Sequence, residues 1–434
     1  ERWKLIDDCL NMDNLSDYLR TLDAHLPDTD KGKKQRNKDY QNAAQFYPLL
    51  SDALTNVTAS AFKKEPEREL PSSLNYMLEN IDGGGVGLNQ QARKSFFTGL
   101  SKSRGALYVG VGEEGGDARI YTVMPEQIIN WRYGVIDGAL TLVLVVIKDK
   151  VLVQDGDFSQ EYQDQYLVFR NDGRVTSQRY TADKKGVVTE GEVMPLVDGN
   201  NAQLDEIPVY FYGSLNNDAE IDRILMYPQA RLNMGHYQNS ADFEAAAYYV
   251  GHPVFSVKEF LGKSQVDEAG EIGAPIGPAS ILGIPVEMNQ ASETTMHRTA
   301  MQDKEKAISE ALAAMVGVSS AKTATQVETE NEQSTNILMM IAKNVSDAYQ
   351  KALQMALRLN KQSDFEVVYQ INTDFIRPAP DAQLLQQLVA GWMAGGVLGS
   401  TLYRYQKRTG LIPDEMDEEL FLEQLERPSS NFGE

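Results

Sequence analysis

The longest regular pattern of apolar and polar positions lies between Glu293 and Asn360, and it predicts two helices joined by a short polar segment. In the first, Glu293 to Met315, the residues Met296, Ala300, Ala307, Ile308, Ala311, Leu312 and Met315 recur at helical spacing. Arg298, Asp303, Lys304, Glu305, Lys306 and Glu310 take the opposite face. The second runs from Thr325 to Asn360, with Val327, Leu338, Ile341, Val345, Ala348, Ala352, Ala356 and Leu359 along one side. At ~1.5 Å per residue it is roughly 50 Å long, enough to organise the chain around it. The junction, Gly317 to Thr325, holds one charge, Lys322, several hydroxyls and no large side chain.

Elsewhere the pattern alternates between helical and two-residue periods. Arg2 to Leu22 reads as an amphipathic helix, Asp28 to Lys38 as a solvated basic loop, and Asp39 to Lys64 as a second helix ended by Pro66. A short helix from Leu70-Pro71 to Asn80, a glycine turn at Asp82 to Gly87 and a helix from Leu88 to Ser101 follow. From Gly105 to Gly213 the period falls to two. Strands are predicted at Ala106–Val111, Arg119–Val123, Thr141–Ile147, Tyr166–Arg170, Val175–Tyr180 and Pro208–Gly213. Asn171-Asp172-Gly173 signals a hairpin, and Gln127 to Trp131 reads as a short connector. Pro228 starts a helix that ends near Val250, because proline is well placed in a first helical turn. Gly251 to Ala291 is turn-rich and short-stranded. Phe365–Ile371 is a strand, and Asp381–Ala394, Ser400–Thr409 and Asp414–Glu426 form a last helical set. Helices followed by a mostly antiparallel sheet give the class α+β.

Composition narrows the function classes. The chain has 434 residues, a net charge of −21 and one cysteine, Cys9, so no internal disulfide forms. No run is long and apolar enough to span a membrane, and a start at Glu1 is expected of a trimmed chain. Such an acidic chain is unsuited to gripping nucleic acid by neutralising phosphates, although it can surround DNA without holding it.

Catalytic and metal-binding patterns are missing. The glycine cluster at 82–87 lacks the Lys-Ser/Thr pair of a phosphate loop, since Leu88-Asn89-Gln90 follows it. His25, His236, His252 and His297 have no partner at metal-ligand spacing, and Cys9 lies on an apolar helix face. Asp414, Glu415, Asp417, Glu418 and Glu419 suit a helix N-terminus better than a cation site. The reading is therefore no enzyme, no cofactor, no metal and no membrane.

Several stretches, in order, resemble the portal proteins of tailed double-stranded-DNA bacteriophages. They include Tyr40–Phe62 with Lys63-Lys64-Glu65-Pro66, Glu69-Leu70-Pro71, Ile81-Asp82-Gly83, Ser103 to Val109 and Ile128 to Arg132. His236 to Asp242, Thr323 to Glu328 running into the long helix, and Ile371 to Phe375 continue the series. The resemblance spans nearly the whole chain except Asp149 to Asn201.

The resemblance implies a portal fold. Its parts would be an α/β wing (1–226), a first stem helix (227–250), a clip (251–291), a second stem helix (292–316), a tunnel loop (317–325), a long wing helix with its strand (326–378) and a C-terminal crown region (379–434). It implies a dodecameric ring at one capsid vertex of the virion, assembled in the host cytoplasm and set in the major capsid protein. Terminase docks there, double-stranded DNA passes through without sequence-specific contact, and a head-to-tail adaptor binds later. In the tunnel loop Ser319, Ser320, Lys322 and Thr323 would meet DNA. In the clip Val254, Phe255, Phe260, Leu261, Ile276 and Ile281 would supply the partner surface, beyond what a small core of their own requires. The competing reading is a capsid-associated scaffold that assembles through helices and has no DNA channel.

Overall fold

The computed structural model describes residues 1–111, 116–156, 159–182, 186–251, 254–257, 286–289, 295–316, 324–361, 365–373, 382–413 and 416–426. The described helices are α1 (Arg2–Asn11), α2 (Lys31–Ala43), α3 (Leu49–Ala61), α4 (Leu88–Lys102), α5 (Tyr227–Gly251), α6 (Met296–Val316), α7 (Ala324–Leu359), α8 (Ala382–Met393), α9 (Gly399–Thr409) and α10 (Glu418–Glu426). The described strands are β1 (Glu67–Glu69), β2 (Arg104–Val111), β3 (Ala118–Val123), β4 (Ile128–Ile136), β5 (Ala139–Gly156), β6 (Ser159–Asn171), β7 (Val175–Ala182), β8 (Val188–Pro195), β9 (Val209–Gly213), β10 (Val254–Val257), β11 (Val286–Asn289) and β12 (Val368–Gln370). The class is α+β. Residues 1–52 with 227–309 form one compact unit, and residues 53–226 with 310–434 form another.

In the first unit, three expectations need correction. The helix predicted over Arg2–Leu22 stops at Asn11, where Met12 and Asn14 take left-handed φ values of 61° and 49°. The Asp8 carboxylate explains the turn-back. It accepts from Lys4 Nζ at 2.6 Å, Asn14 Nδ2 at 2.8 Å and Tyr18 Oη at 2.6 Å. Second, the basic stretch expected to be a loop is α2. Asp30 caps it by accepting from Lys33 N at 2.6 Å, and buried Lys33 donates to Leu26 O and the Asp28 carboxylate. Third, the helix predicted over Asp39–Lys64 is interrupted between Ala43 and Leu49. Pro48 lacks the N–H a helix needs and restricts Tyr47 before it.

The interrupted backbone is bonded by side chains of α5. Asn233 accepts from Leu50 N at 2.9 Å and donates to Tyr47 O at 2.9 Å, and Ser240 Oγ accepts from Gln45 N at 3.0 Å. Asp242 accepts from Tyr40 Oη at 2.7 Å, and Gln238 donates to Tyr18 O at 2.7 Å. Polar residues on α5 thus satisfy groups that burial would otherwise strand.

In the second unit, β1 pairs with β12, and the strands between Arg104 and Gly213 form two separate antiparallel sheets rather than one. Their orders are β3-β2-β9 and β4-β5-β6-β7-β8. The stretch read as a connector at Gln127–Trp131 belongs to β4, paired with β5 from Ile128↔Ile147 to Ile136↔Ala139. Strand β8 carried no alternating signal because all of its residues are exposed. The Asn171-Asp172-Gly173 hairpin forms as expected, with Gly173 at φ 97° and Asn171 Oδ1 accepting from its N–H at 3.1 Å.

Helix α7 is the spine of this unit. Leu338, Ile341, Val345, Tyr349, Ala352 and Leu353 are among its buried residues. Its polar side chains bond the ends of other elements. Tyr349 Oη lies 2.9 Å from Ser95 Oγ on α4, Ser346 Oγ accepts from Ile371 N at 2.9 Å, and Asn344 Nδ2 donates to Gly213 O at 3.0 Å. Gly105 on β2 has to be glycine, because any Cβ there would run into the Tyr212 ring. Arg104 is buried with its guanidinium 4.1 Å over Trp131 and 5.3 Å from the Phe211 ring. Burial lowers its pKa to about 10 despite the attraction of Glu220.

The last helical set folds nearly as predicted. Asp417 caps α10 by accepting from Leu420 N at 2.7 Å, as the acid-rich sequence implied.

Candidate functional site

The stretch from α5 to α7 contains the positions singled out in the sequence, of which Val254 and Phe255 are described. β10 and β11 pair antiparallel, with Val254↔Asn289, Phe255↔Met288, Ser256↔Glu287 and Val257↔Val286 in register. The two strands lie between α5 and α6 in the chain.

Farther down the two helices, α6 meets α5 at Gly235, where an added Cβ would lie 3.1 Å from Lys304 Cε. The absent side chain leaves room for the lysine stem to pass. Next to it His236 is buried, with its ring edge-on to Tyr47 at 5.3 Å and Nδ1 lacking a hydrogen-bond partner among the described residues. Burial holds its pKa below the usual histidine range. Lys304 adds to the effect and Glu305 opposes it.

Tyr248 and Met296 are exposed. Among the described side chains of α6, Ile308 and Leu312 are the buried ones. The predicted apolar stripe is therefore half empty, with Ala307 exposed and Ala300 and Ala311 only partly covered.

Of the residues expected to form a partner surface, Val254 and Phe255 lie in β10, opposite Asn289 and Met288. Phe260, Leu261, Ile276 and Ile281 lie outside the described residues. So do Ser319, Ser320, Lys322 and Thr323, the candidate DNA contacts, between the end of α6 at Val316 and the start of α7 at Ala324. The sequence reading did not single out Val286 and Met288 of β11. Their alternation, Val-Glu-Met-Asn, is a strand signal too short to stand out among so many turns.

Among the described residues no group of three or more His, Cys, Asp or Glu is placed to hold a metal ion. Cys9 is buried, and burial pushes its thiol up to about 12, which leaves it protonated and unreactive. An open groove of about 540 Å³ beside α7 is lined by Tyr133, Glu206, Phe211, Lys351 and Arg358, but Arg358 is already engaged with Asp205 at 2.7 Å. No described helix is long and apolar enough to cross a membrane.

Residues 226–359, the span from the start of α5 to the end of α7, match a family described as a domain of unknown function (DUF4055). No curated protein matches the sequence. Similar solved structures include the neck of an empty GTA particle computed with C6 symmetry. That likeness is at 12% identity and a TM-score of 0.40, covering 85% of this chain and 91% of that one. The virion of a native gene transfer agent (GTA) particle is similar at 12% identity and a TM-score of 0.41, covering 82% and 89%. The neck of a native GTA particle computed with C12 symmetry is similar at 13% identity and a TM-score of 0.39, covering 85% and 91%.

Proposed function

We propose that this chain is a phage portal protein, a subunit of a ring that forms the DNA channel at one vertex of a capsid. The observation that carries the reading is the order α5, β10–β11 ladder, α6, α7. Two long helices flank an antiparallel strand pair, and a hydroxyl-rich stretch of sequence precedes a 36-residue helix. The order agrees with the stem, clip, stem, tunnel loop and wing helix that the sequence resemblance implies. The unfilled stripe of α6 and the net charge of −21 agree with it. The first asks for a neighbouring copy. The second suits a wall past which DNA slides, because strong cationic contacts would have to break at every step.

In this reading terminase docks on the clip while DNA enters, and the head-to-tail adaptor binds it afterwards. Lys322 is the one cation of the tunnel loop, with Ser319, Ser320 and Thr323 as neutral donors. Each exposed contact to a phosphate contributes on the order of 1 kcal/mol or less. The ring would be dodecameric and part of the virion. Negative-stain microscopy of the purified chain tests this. Ring-shaped particles with a central hole support it, and compact or irregular oligomers without a hole refute it in favour of a scaffold.

A further inference from the structure

The helices α8, α9 and α10 carry a surface that the single chain leaves uncovered. From Ala382 to Tyr403 no residue is charged, in a chain of which 24% is charged. Helix α8 lies wholly within this stretch and has no fully buried residue. Met393 is 76% exposed and Leu398 74% exposed, and Leu384, Leu411 and Leu420 are exposed as well. The core that these helices share consists of Leu402, Tyr403, Ile412 and Phe421, with Leu385 and Leu388 half-buried against it. Four buried apolar side chains among the described residues are few for three helices, since a set this small gains little from its own core.

Charge is divided between the two following helices. α9 carries Arg404, Lys407 and Arg408 and no acid, whereas α10 carries Glu418, Glu419, Glu423 and Glu426 and no base. Arg404 is exposed and has no ion pair among the described residues. A surface with one basic and one acidic flank fits a second copy of itself placed head to tail. The basic helix of one copy then meets the acidic helix of the next, and the uncharged face between them is covered.

We infer that α8, α9 and α10 form a copy-to-copy contact, in which the uncharged face of one chain seats against the α10 side of the next. The occupant is a second copy of this chain rather than a lipid surface or an unrelated protein. The inference rests on the ring reading and names one of the surfaces that closes it.

The test uses the full chain and the double variant Leu384→Glu with Met393→Glu, compared by mass photometry over a dilution series. Both positions are exposed, so the isolated fold should tolerate the change, and circular dichroism checks that it does. If helix is lost, Met393→Gln, which keeps helix propensity, replaces the double variant. The expected result is that the concentration at half-dissociation rises at least tenfold, that Arg404→Glu raises it less, and that Arg404→Glu with Glu419→Arg restores part of the loss. An unchanged dissociation curve for the double variant, with the wild-type chain assembled, overturns the inference and leaves the ring reading standing. Binding of the wild type but not the variant to phosphatidylcholine vesicles, with assembly unaffected, assigns the face to lipid and also overturns it. A wild-type chain that never assembles removes the ring reading itself.

Discussion

Helices α6 and α7 follow one another in sequence and carry similar apolar stripes, yet they end in different states. From Leu338 onward α7 is buried against strands and helices of its own unit, and its polar residues close hydrogen bonds to Ile371, Gly213 and Ser95. Among its described side chains, α6 buries Ile308 and Leu312 and leaves Met296 and Ala307 uncovered. The same pattern thus serves two purposes. In α7 it holds one chain together. In α6 it is available to hold chains to one another, in keeping with the proposed stem.

The comparison is broken most severely at α7. Ile341→Ala should cost about 2–5 kcal/mol of stability, because a fully buried side chain leaves a cavity. Tyr349→Phe should cost about 1–3 kcal/mol by stranding Ser95 and Gln91. Chemical denaturation of the dissociated chain measures both. Met296→Ser on α6 should leave that stability within about 0.5 kcal/mol, as expected of an exposed site, and should instead weaken assembly. Equal losses from Ile341→Ala and Met296→Ser would erase the distinction.

The next effects concern function rather than folding. Deleting Lys263 to Ala274 should leave the assembly intact and block DNA packaging or tail joining in a phage-complementation assay. Normal infectious particles would remove the clip assignment. Lys322→Glu should leave assembly unchanged and impair DNA retention, and Lys322→Ala should do so only mildly, because losing a weak attraction is gentler than adding repulsion. A structure of the assembled ring that places Lys322 on its outer surface would end this assignment.

The smallest expected effect is a pH response at α5. His236 is buried with a lowered pKa, so below about pH 6.5 the unfolded chain takes up a proton that the folded chain refuses. Stability should therefore fall as pH drops from about 6.5 toward the folded pKa and then level off, with no contribution above that range. His236→Gln should flatten this part of the curve. Asp8 acts lower on the scale. Burial pushes its carboxyl up, but hydrogen bonds from Lys4, Tyr18 and Asn14 outweigh this and hold it below the usual range. Its contribution is present above about pH 4 and is lost as pH falls through the folded pKa.

What could be read from the sequence follows the same division. The long helices, the hairpin at Asn171-Asp172-Gly173 and the last helical set were legible because periodicity and turn chemistry report burial within one chain. Helix α2 was not, since its signal is the Asp30 cap and the partners of Lys33, not an apolar stripe. The break after α1 was hidden in the contacts of Asp8, which join residues that sequence spacing does not connect. Strand β8 escaped because it is exposed on both faces, and periodicity records only what is covered. For the candidate site the order of elements was legible, and β10 and β11 pair within the stretch read as short-stranded. The candidate DNA contacts, named from family resemblance, lie outside the described residues.

The central claim is that the surfaces left open on α6 are closed by identical neighbours in a ring. Mass photometry of the purified 434-residue chain measures this directly. The account predicts a dominant closed species near twelve times the 48.3 kDa chain mass, stable on dilution to nanomolar concentration. A chain that stays monomeric at micromolar concentration in every buffer tested would contradict it.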